Sequence, residues 1–225
     1  MSGKIENPRQ EVSLADFDIL SDATAEGLER AITHRARNGG FDGAYLEFGL
    51  YEGHSLITAY RAMRALGAAD TPMFGFDSFS GLPEPGKIDD GPLKGGQFAC
   101  SRPAVERRLR DNGVDMDNLT LTEGFFEETL TPALRQSLGI DRAAVVLVDC
   151  DFYASTVPVL RFIRPLLTAG TVIVFDDWNL FDRDPNRGER RAFAEFQARE
   201  GITARELFHY GWHGAVLEVE DCPAA

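Results

Sequence analysis

Apolar runs and amphipathic segments alternate along the chain. The apolar runs predict five strands, at residues 44–49, 72–77, 119–124, 143–149 and 171–177. The segments between them have helical periodicity, and residues 203–220 predict two closing strands around a glycine-containing turn. This alternation is typical of a parallel sheet covered by helices. We therefore predict an α/β fold with a doubly wound, mostly parallel seven-stranded sheet, an antiparallel C-terminal strand, and helices on both faces.

Two segments lack this periodicity. Residues 1–20 form a leader, after which residues 22–37 predict the first helix, ended by Asn38 and the two glycines that follow. Residues 78–97 are rich in glycine and proline and predict a long loop. Long loops inside compact domains are usually functional or disordered. We expect residues 1–225 to form one domain in which both segments act as a lid over the site.

Composition and charge disfavour several classes of protein and of partner. The chain has 36 acidic and 23 basic residues, a formal charge of −13, which disfavours nucleic acid and anionic membranes as partners. No run of eighteen apolar residues occurs, and the N-terminal residues lack the apolar core of a secretory signal, so we predict a cytoplasmic protein. Three scattered cysteines argue against a disulfide framework. The partner predicted is a small molecule, and a homo-oligomer is compatible with these features.

Acidic residues follow every predicted parallel strand. In open α/β sheets, ligands bind beyond the carboxyl ends of the strands. The acids expected at this edge are Glu47, Asp77, Glu123, Asp149, Asp151, Asp176 and Asp177. Crowded carboxylates raise one another's pKa values and cost stability unless a cation binds among them. The pattern therefore predicts a positively charged ligand or a metal at this edge.

The stretch "YLEFGLYEGHSL", residues 45–56, indicates which ligand. It reads E-x-G-x-x-x-G, with Glu47, Gly49 and Gly53, and lacks the G-x-G-x-x-G of dinucleotide sites. Glu52 inside the loop would repel phosphate, whereas a ribose joined to a cationic amino-acid group would be attracted. Asp77, after the next strand, suits hydrogen bonds from ribose hydroxyls. The glycines alone are also compatible with a plain structural turn.

Six stretches carry a resemblance to a known family: "YLEFGLYEGHS", "GFDSFSGLPEP", "GQFACS", "EGFFEETL", "DCDFYASTVPVL" and "FDDW", which span about residues 45–178. Together they resemble the class I S-adenosylmethionine-dependent methyltransferases and, more narrowly, the macrocin O-methyltransferase (TylF/MycF-like) family. Members of that family tend to read D-G-D where this chain has Asp149-Cys150-Asp151. The resemblance implies a Rossmann-like fold and O-methylation of a hydroxyl on a sugar or another natural product.

The resemblance also implies roles for residues at matching positions. Glu47, Gly49 and Gly53, with Ser55, would line the methionine end of S-adenosylmethionine. The remaining positions that it assigns to the cofactor are Asp77, Ser78 and Phe79 at the ribose, Gly124 and Phe125 at the adenine, and Asp149.

Three of the acids form a candidate metal site. Asp176 and Asp177 follow Asp149 by 27 and 28 residues, which fits a strand, a crossover helix and a neighbouring strand. Three carboxylates suit Mg²⁺, which prefers oxygen ligands, and the resemblance also implies a divalent metal there. In the alternative interpretation Asp176 caps the next segment and Asp149 contacts the cofactor or a helix. Asp151 is a further candidate ligand, or the cap of a helix beginning near Ser155.

The predicted reaction also needs a base, because a hydroxyl is barely ionised at neutral pH. Asp149 is a candidate as both ligand and base. Otherwise the candidates are His213 in "YGWHG", with a structural turn role as its alternative, and after it His54. Phe98, Trp178 and Tyr210 are candidates for an apolar floor, or for core packing. Rival acceptors are a catechol, an amine or a carboxylate. A non-catalytic S-adenosylmethionine-binding protein is disfavoured, since it would not need the aspartates.

Overall fold

The computed structural model describes residues 14–224, with side chains from residue 21 onward. The strands are β1 (Ala44–Phe48), β2 (Met73–Asp77), β3 (Leu119–Glu123), β4 (Ala143–Val148), β5 (Val172–Phe175), β6 (Thr203–Tyr210) and β7 (Gly214–Asp221). The helices are α1 (Leu14–Gly39), α2 (His54–Ala65), α3 (Arg102–Asp111), α4 (Phe126–Thr129), α5 (Pro132–Leu138), α6 (Tyr153–Ile163) and α7 (Gly188–Glu200).

The strands form a single seven-stranded sheet in the order β3-β2-β1-β4-β5-β7-β6. Strands β1 to β5 pair in parallel, and β7 runs antiparallel to both β5 and β6. The order reverses between β1 and β4, which places the crevice typical of ligand binding near the middle of the sheet. The predicted doubly wound, mostly parallel fold with an antiparallel C-terminal strand is confirmed.

Helices cover both faces because successive strand residues point to opposite sides. In β4, Val146 and Val148 pack in a cluster with α6 and α7, whereas Val145 and Leu147 pack with α1, α2 and α3 on the other face. Every residue of β4 and β5 is buried. Burial on both faces explains why these two strands are uninterrupted apolar runs in the sequence.

Three helix predictions differ from the structure. Helix α1 begins at Leu14, inside the segment predicted as a leader, and residues 1–13 of that segment lie outside the described part of the chain. The single helix predicted after β3 is two helices, because a residue before proline disfavours helical geometry; Thr131 instead accepts a hydrogen bond from the amide of Leu134 and caps α5. Helix α6 begins early enough that Pro158 lies inside it.

The loop at residues 78–97 contains one short 3₁₀ helix, Lys87–Asp89, and is tied to the body of the protein. Asp89 is fully buried, and its carboxylate accepts hydrogen bonds from the amides of Tyr153 (2.7 Å) and Ala154 (3.2 Å) at the start of α6. Asp89 therefore caps α6, the role predicted for Asp151. In the part of the chain that the structure describes, no helix has the length and apolar content needed to cross a membrane.

Candidate active site

A cavity of about 1590 Å³ opens at the carboxyl ends of the parallel strands. Its lining divides into two halves along the strand order. The lining residues of the glycine-loop half come from the segments 49–55, 77–84 and 124–128, which follow β1, β2 and β3. Those of the acidic half come from the segments 149–155 and 176–182, which follow β4 and β5, and from residues 212–213 in the turn between β6 and β7. Helix α1 adds Ser21, Thr24 and Ala25.

The cavity brings together most of the predicted site residues. Those on its lining are Gly49, Ser55, Asp77, Ser78, Gly124, Phe125, Asp149, Asp176, Asp177 and His213. Glu47, Gly53 and Phe79 lie behind the lining: Glu47 is fully buried and Phe79 is 9% exposed. Gly53 directly precedes α2 and has a φ of +83°. A Cβ there would lie 3.2 Å from the side chain of Val105, so this glycine lets α2 pack closely against α3.

Gly49 is required by a close approach between strands. It has a φ of +93°, and a Cβ at this position would lie 1.8 Å from the carbonyl oxygen of Asp149. The backbone after β1 therefore passes directly against the backbone after β4. Because only glycine fits this contact, the glycine of the E-x-G motif joins the two halves of the cavity.

The carboxylate of Glu47 is held beneath the glycine loop. It accepts hydrogen bonds from the hydroxyls of Tyr45 and Ser55, the latter at 2.6 Å. Burial raises the pKa of Glu47 to about 7, although both hydrogen bonds act to lower it. Ser55, which lines the cavity, is thereby connected to a buried acid that titrates near neutral pH.

Asp77 organises the loops after β1 and β2. Its Oδ2 accepts from the amides of Leu50 (2.6 Å) and Tyr51 (3.3 Å), and its Oδ1 accepts from the amide of Phe79 (2.6 Å). Burial raises the pKa of Asp77, and the three amide hydrogen bonds counteract that rise. The carboxylate is therefore fixed at the cavity wall by the protein's own backbone.

Asp149, Asp176 and Asp177 converge as the intervals in sequence predicted. One carboxylate oxygen from each lies within 4.8 Å of those of the other two. Asp176 accepts from the hydroxyls of Thr24 (2.9 Å) and Tyr210 (2.7 Å). Within the described residues, the carboxylate of Asp149 has no hydrogen-bond donor. This set of oxygens, incompletely satisfied by the protein, fits a hard divalent cation.

The pKa values in the acidic half respond to burial and crowding. Burial, followed by the charges of Asp176 and Asp177, raises the pKa of Asp149 well above its usual range. Burial, followed by the charge of Asp176, raises the pKa of Asp177 to about 7. Burial also acts to raise the pKa of Asp176, but His213 and two hydroxyl donors outweigh it and the pKa falls. A cation here would relieve the repulsion that raises the other two pKa values.

His213 faces Asp176. Its Nε2 lies 3.2 Å from the Thr24 hydroxyl and 3.6 Å from Asp176 Oδ1. Its Nδ1 is buried and has no hydrogen-bond partner in the part of the chain that the structure describes. Burial acts to lower the pKa of His213, but the Asp176 carboxylate outweighs it, so the pKa is raised. The imidazole therefore interacts with Asp176, which is a candidate metal ligand.

Comparisons with known proteins identify the family. A family model described as macrocin-O-methyltransferase (TylF) matches residues 17–217. The chain belongs to this family. The predicted family and the predicted enzyme class, a methyltransferase, are confirmed.

Individual relatives are more distant. Mycinamicin III 3''-O-methyltransferase from Micromonospora griseorubida is 27% identical over 78% of this chain and 68% of that protein. The 8-demethyl-8-(2,3-dimethoxy-alpha-L-rhamnosyl)-tetracenomycin-C 4'-O-methyltransferase from Streptomyces olivaceus is 28% identical over 73% of this chain. The chain spans 61% of that second relative's length. The solved structure of the O-methyltransferase NovP shares the fold, with a TM-score of 0.74, 22% identity, and coverage of 88% of this chain and 80% of that one.

Three aromatic residues are candidates for an apolar floor of this methyltransferase's cavity or for core packing, and two of them take the second role. Phe98 lines the cavity, but Trp178 packs on Phe175 with ring centroids 4.9 Å apart. The Tyr210 ring is buried and its hydroxyl contacts Asp176. The lining has Trp212 instead. Trp178 follows two aspartates at a strand end, and the sequence contains no feature that separates it from Trp212.

Sequence reasoning also missed the buried acid Glu189. It is 1% exposed, and its Oε2 accepts a hydrogen bond from the amide of Asp177 at 3.1 Å. Its Oε1 has no partner among the described residues. Burial and then the charge of Asp177 raise the pKa of Glu189 well above its usual range. In the sequence Glu189 belongs to the charged stretch "RGERRAF", which predicts a solvated helix face and so conceals it.

Asp151 has a different role from the predicted helix cap. It has a φ of +58°, its side chain lines the cavity, and its amide donates to Asp177 Oδ2 at 2.8 Å. Burial, followed by the charges of Asp177 and Asp176, raises its pKa well above the usual range. Asp151 is therefore a further, half-buried carboxylate whose charge interacts with those of Asp176 and Asp177.

Proposed function

We propose that this chain transfers a methyl group from S-adenosylmethionine to a hydroxyl of a sugar-containing natural product, with a divalent metal, preferably Mg²⁺, at the acceptor. The observation that carries this proposal is one cavity with two different halves: an anchored carboxylate, Asp77, in the glycine-loop half, and three converging carboxylates in the acidic half. Family membership supports the cofactor. The names of both relatives, an O-methyltransferase for mycinamicin III and one for a rhamnosyl tetracenomycin, support the acceptor class.

The glycine-loop half would hold the cofactor. Asp77 would accept hydrogen bonds from the ribose hydroxyls, with Ser78 beside it. Phe125, which is 37% exposed, would cover the adenine next to Gly124. Glu47 would act through Ser55 on the cationic methionine end, close to Gly49. When bound, S-adenosylmethionine supplies a methyl group on a sulfonium that departs as a neutral thioether.

The acidic half would hold the metal through Asp149, Asp176 and Asp177. Such a metal lowers the pKa of a bound hydroxyl and orients it. Thr24 and Tyr210 both donate to Oδ1 of Asp176 and fix that carboxylate. Glu189 fixes the backbone of Asp177. These contacts would keep the carboxylates in place as the acceptor enters.

The base is a carboxylate in this proposal. A base must hold the proton that it removes. Burial and the neighbouring carboxylates raise the pKa values of Asp149 and Asp151 well above the usual carboxyl range, which favours proton uptake by either group. Asp149 would combine ligation with proton removal, as the sequence predicts. Asp151 lies outside the converging three and would take the proton if Asp149 is committed to the metal. His213 would act as a positioning residue for Asp176, because its Nε2 is directed at Asp176 and Thr24.

The test is methyl transfer from S-adenosylmethionine labelled in its methyl group to a panel of glycosides, catechols, amines and carboxylic acids. We expect label in a glycoside ether, loss of turnover in EDTA, and recovery with Mg²⁺. Full turnover in EDTA would reject the metal. Transfer to a carboxylate or an amine, with none to a hydroxyl, would reject the acceptor class.

A further inference from the structure

The acidic half of the cavity has an aromatic wall at Trp212, and we propose that this indole is the platform on which the sugar ring of the acceptor stacks. The inference rests on the function proposed above and names the residue that selects for a sugar. Trp212 lies in the turn between β6 and β7, lines the cavity, and is partly exposed. The indole lies against the imidazole of His213, with ring centroids 5.6 Å apart, and that imidazole contacts Asp176, so the indole adjoins the candidate metal site.

Sheet topology separates Trp212 from the nucleoside. Asp77 ends β2, and β1, β4 and β5 lie between β2 and β7 in the sheet. At roughly 4.8 Å per strand spacing, the two residues are on the order of 19 Å apart along the sheet. Trp212 is therefore placed to contact the methyl acceptor and not the adenine or ribose of the cofactor.

The turn that carries Trp212 is held in place. The backbone carbonyl of Trp212 accepts a hydrogen bond from Asn179 Nδ2 at 3.0 Å. The backbone amide of Asn179 donates to the carbonyl of His213 at 2.9 Å. Arg190 donates to Asn179 Oδ1 at 2.6 Å, and Asn179 is 3% exposed. A buried amide thus joins the backbone of the turn that carries the indole to the segment after β5. A binding surface on such a support is ordered before the ligand arrives, which reduces the entropic cost of binding.

The chemistry of the wall matches a pyranose. A sugar ring has an apolar C–H face and a polar edge of hydroxyls, and an indole offers a large apolar face. Of the two phenylalanines that line this half, Phe152 is 1% exposed, and Phe181 has the guanidinium of Arg187 at 4.2 Å from its ring centroid. Among the described residues, no guanidinium stacks on Trp212. With the indole against the C–H face, the hydroxyl edge would meet the carboxylates of the acidic half.

The experiment uses methyl α-L-rhamnopyranoside as the probe and the full chain as the protein. The protein has two tryptophans and five tyrosines, so fluorescence excited at the red edge of the tryptophan band, where tyrosine does not absorb, reports on Trp178 and Trp212 alone. Trp178→Phe is the matched control, because Trp178 is also partly exposed but packs against Phe175 and Phe193 of the core. We expect the sugar to change the fluorescence of the wild type and of Trp178→Phe, and to leave that of Trp212→Phe unchanged.

Saturation-transfer NMR measures sugar affinity without relying on fluorescence. Loss of the indole face should weaken binding about tenfold in Trp212→Ala and less in Trp212→Phe, which keeps an aromatic ring. Equal sugar binding by Trp212→Ala and wild type would overturn the inference, as would absence of saturation transfer to the sugar with the wild type. Calorimetry with S-adenosylhomocysteine keeps the two proposals apart: failure of the wild type to bind it counts against the methyltransferase proposal, whereas Trp212 variants should bind it normally.

Discussion

Both halves of the cavity contain carboxylates, but the protein satisfies those carboxylates to different degrees. In the glycine-loop half, Asp77 accepts three backbone amides, and Glu47 accepts two hydroxyls. In the acidic half, the carboxylate of Asp149 has no donor within the described residues, and Asp151 lies beside it with a similarly raised pKa. The first half is complete without a ligand, whereas the second is crowded with like charge.

This difference indicates which kind of ligand each half would bind. A carboxylate already fixed by amides can offer its remaining lone pairs to a neutral hydroxyl, such as that of a ribose. Carboxylates that repel one another gain most from a cation. The predictions below test this distinction, beginning with the largest expected effect.

Removing charge from the acidic half should abolish turnover. Asp176→Asn combined with Asp177→Asn should reduce the rate by about a thousandfold or more, because metal stabilisation of the developing charge is worth several kcal/mol. Affinity for S-adenosylhomocysteine, measured by calorimetry, should change little. The control is Asp70→Asn with Asp141→Asn, two exposed aspartates at the opposite edge of the sheet. Wild-type turnover in the first double variant would contradict the assignment.

Removing the anchored carboxylate should affect the cofactor instead. Asp77→Ala should weaken S-adenosylhomocysteine binding by about 1–3 kcal/mol, the usual cost of losing hydrogen bonds to a charged group. Mg²⁺ affinity should stay at the wild-type value, since Asp77 lies outside the converging three. Calorimetry measures both. Weakened Mg²⁺ binding with normal cofactor binding would reverse the roles of the two halves.

The two halves should also differ in their response to pH. Because the pKa of Asp177 is raised to about 7, its carboxylate keeps a proton at pH 6 that a cation must displace. Mg²⁺ affinity should therefore rise as the pH goes from 6 to 8, and binding should release protons. Calorimetry in buffers of different ionisation enthalpy counts those protons. Binding that neither strengthens with pH nor releases protons would count against ligation by Asp177.

The smallest effect is expected for Asp89, which caps α6, the helix that follows β4. Asp89→Ala removes the cap of α6 and should lower the free energy of unfolding by about 1–2 kcal/mol. Asp89→Asn keeps an acceptor oxygen and should lose less. Urea unfolding measures both. An equal loss in the two variants would show that the charge of Asp89, and not the capping hydrogen bonds, stabilises the helix.

The sheet and the convergence of the aspartates at one of its edges could be predicted from the sequence, because both depend on local patterns. Uninterrupted apolar runs mark β4 and β5, and an acid directly after each run must reach the same edge of a parallel sheet. What the sequence could not predict depends on long-range packing. Asp89 caps a helix 64 residues later, Glu189 is buried although its neighbours are charged, and Trp212 lines the cavity where Trp178 was expected. Nothing local distinguishes these residues from others of their type.

The central claim is that a sulfonium nucleoside and a dication bind side by side, in the two halves of one cavity. Paramagnetic broadening tests it directly: NMR spectra of the S-methyl protons of bound S-adenosylmethionine are recorded as Mn²⁺ replaces Mg²⁺. The account predicts strong broadening in the wild type and its loss in Asp176→Asn with Asp177→Asn. Sharp methyl resonances in wild-type protein that binds both ligands would contradict it.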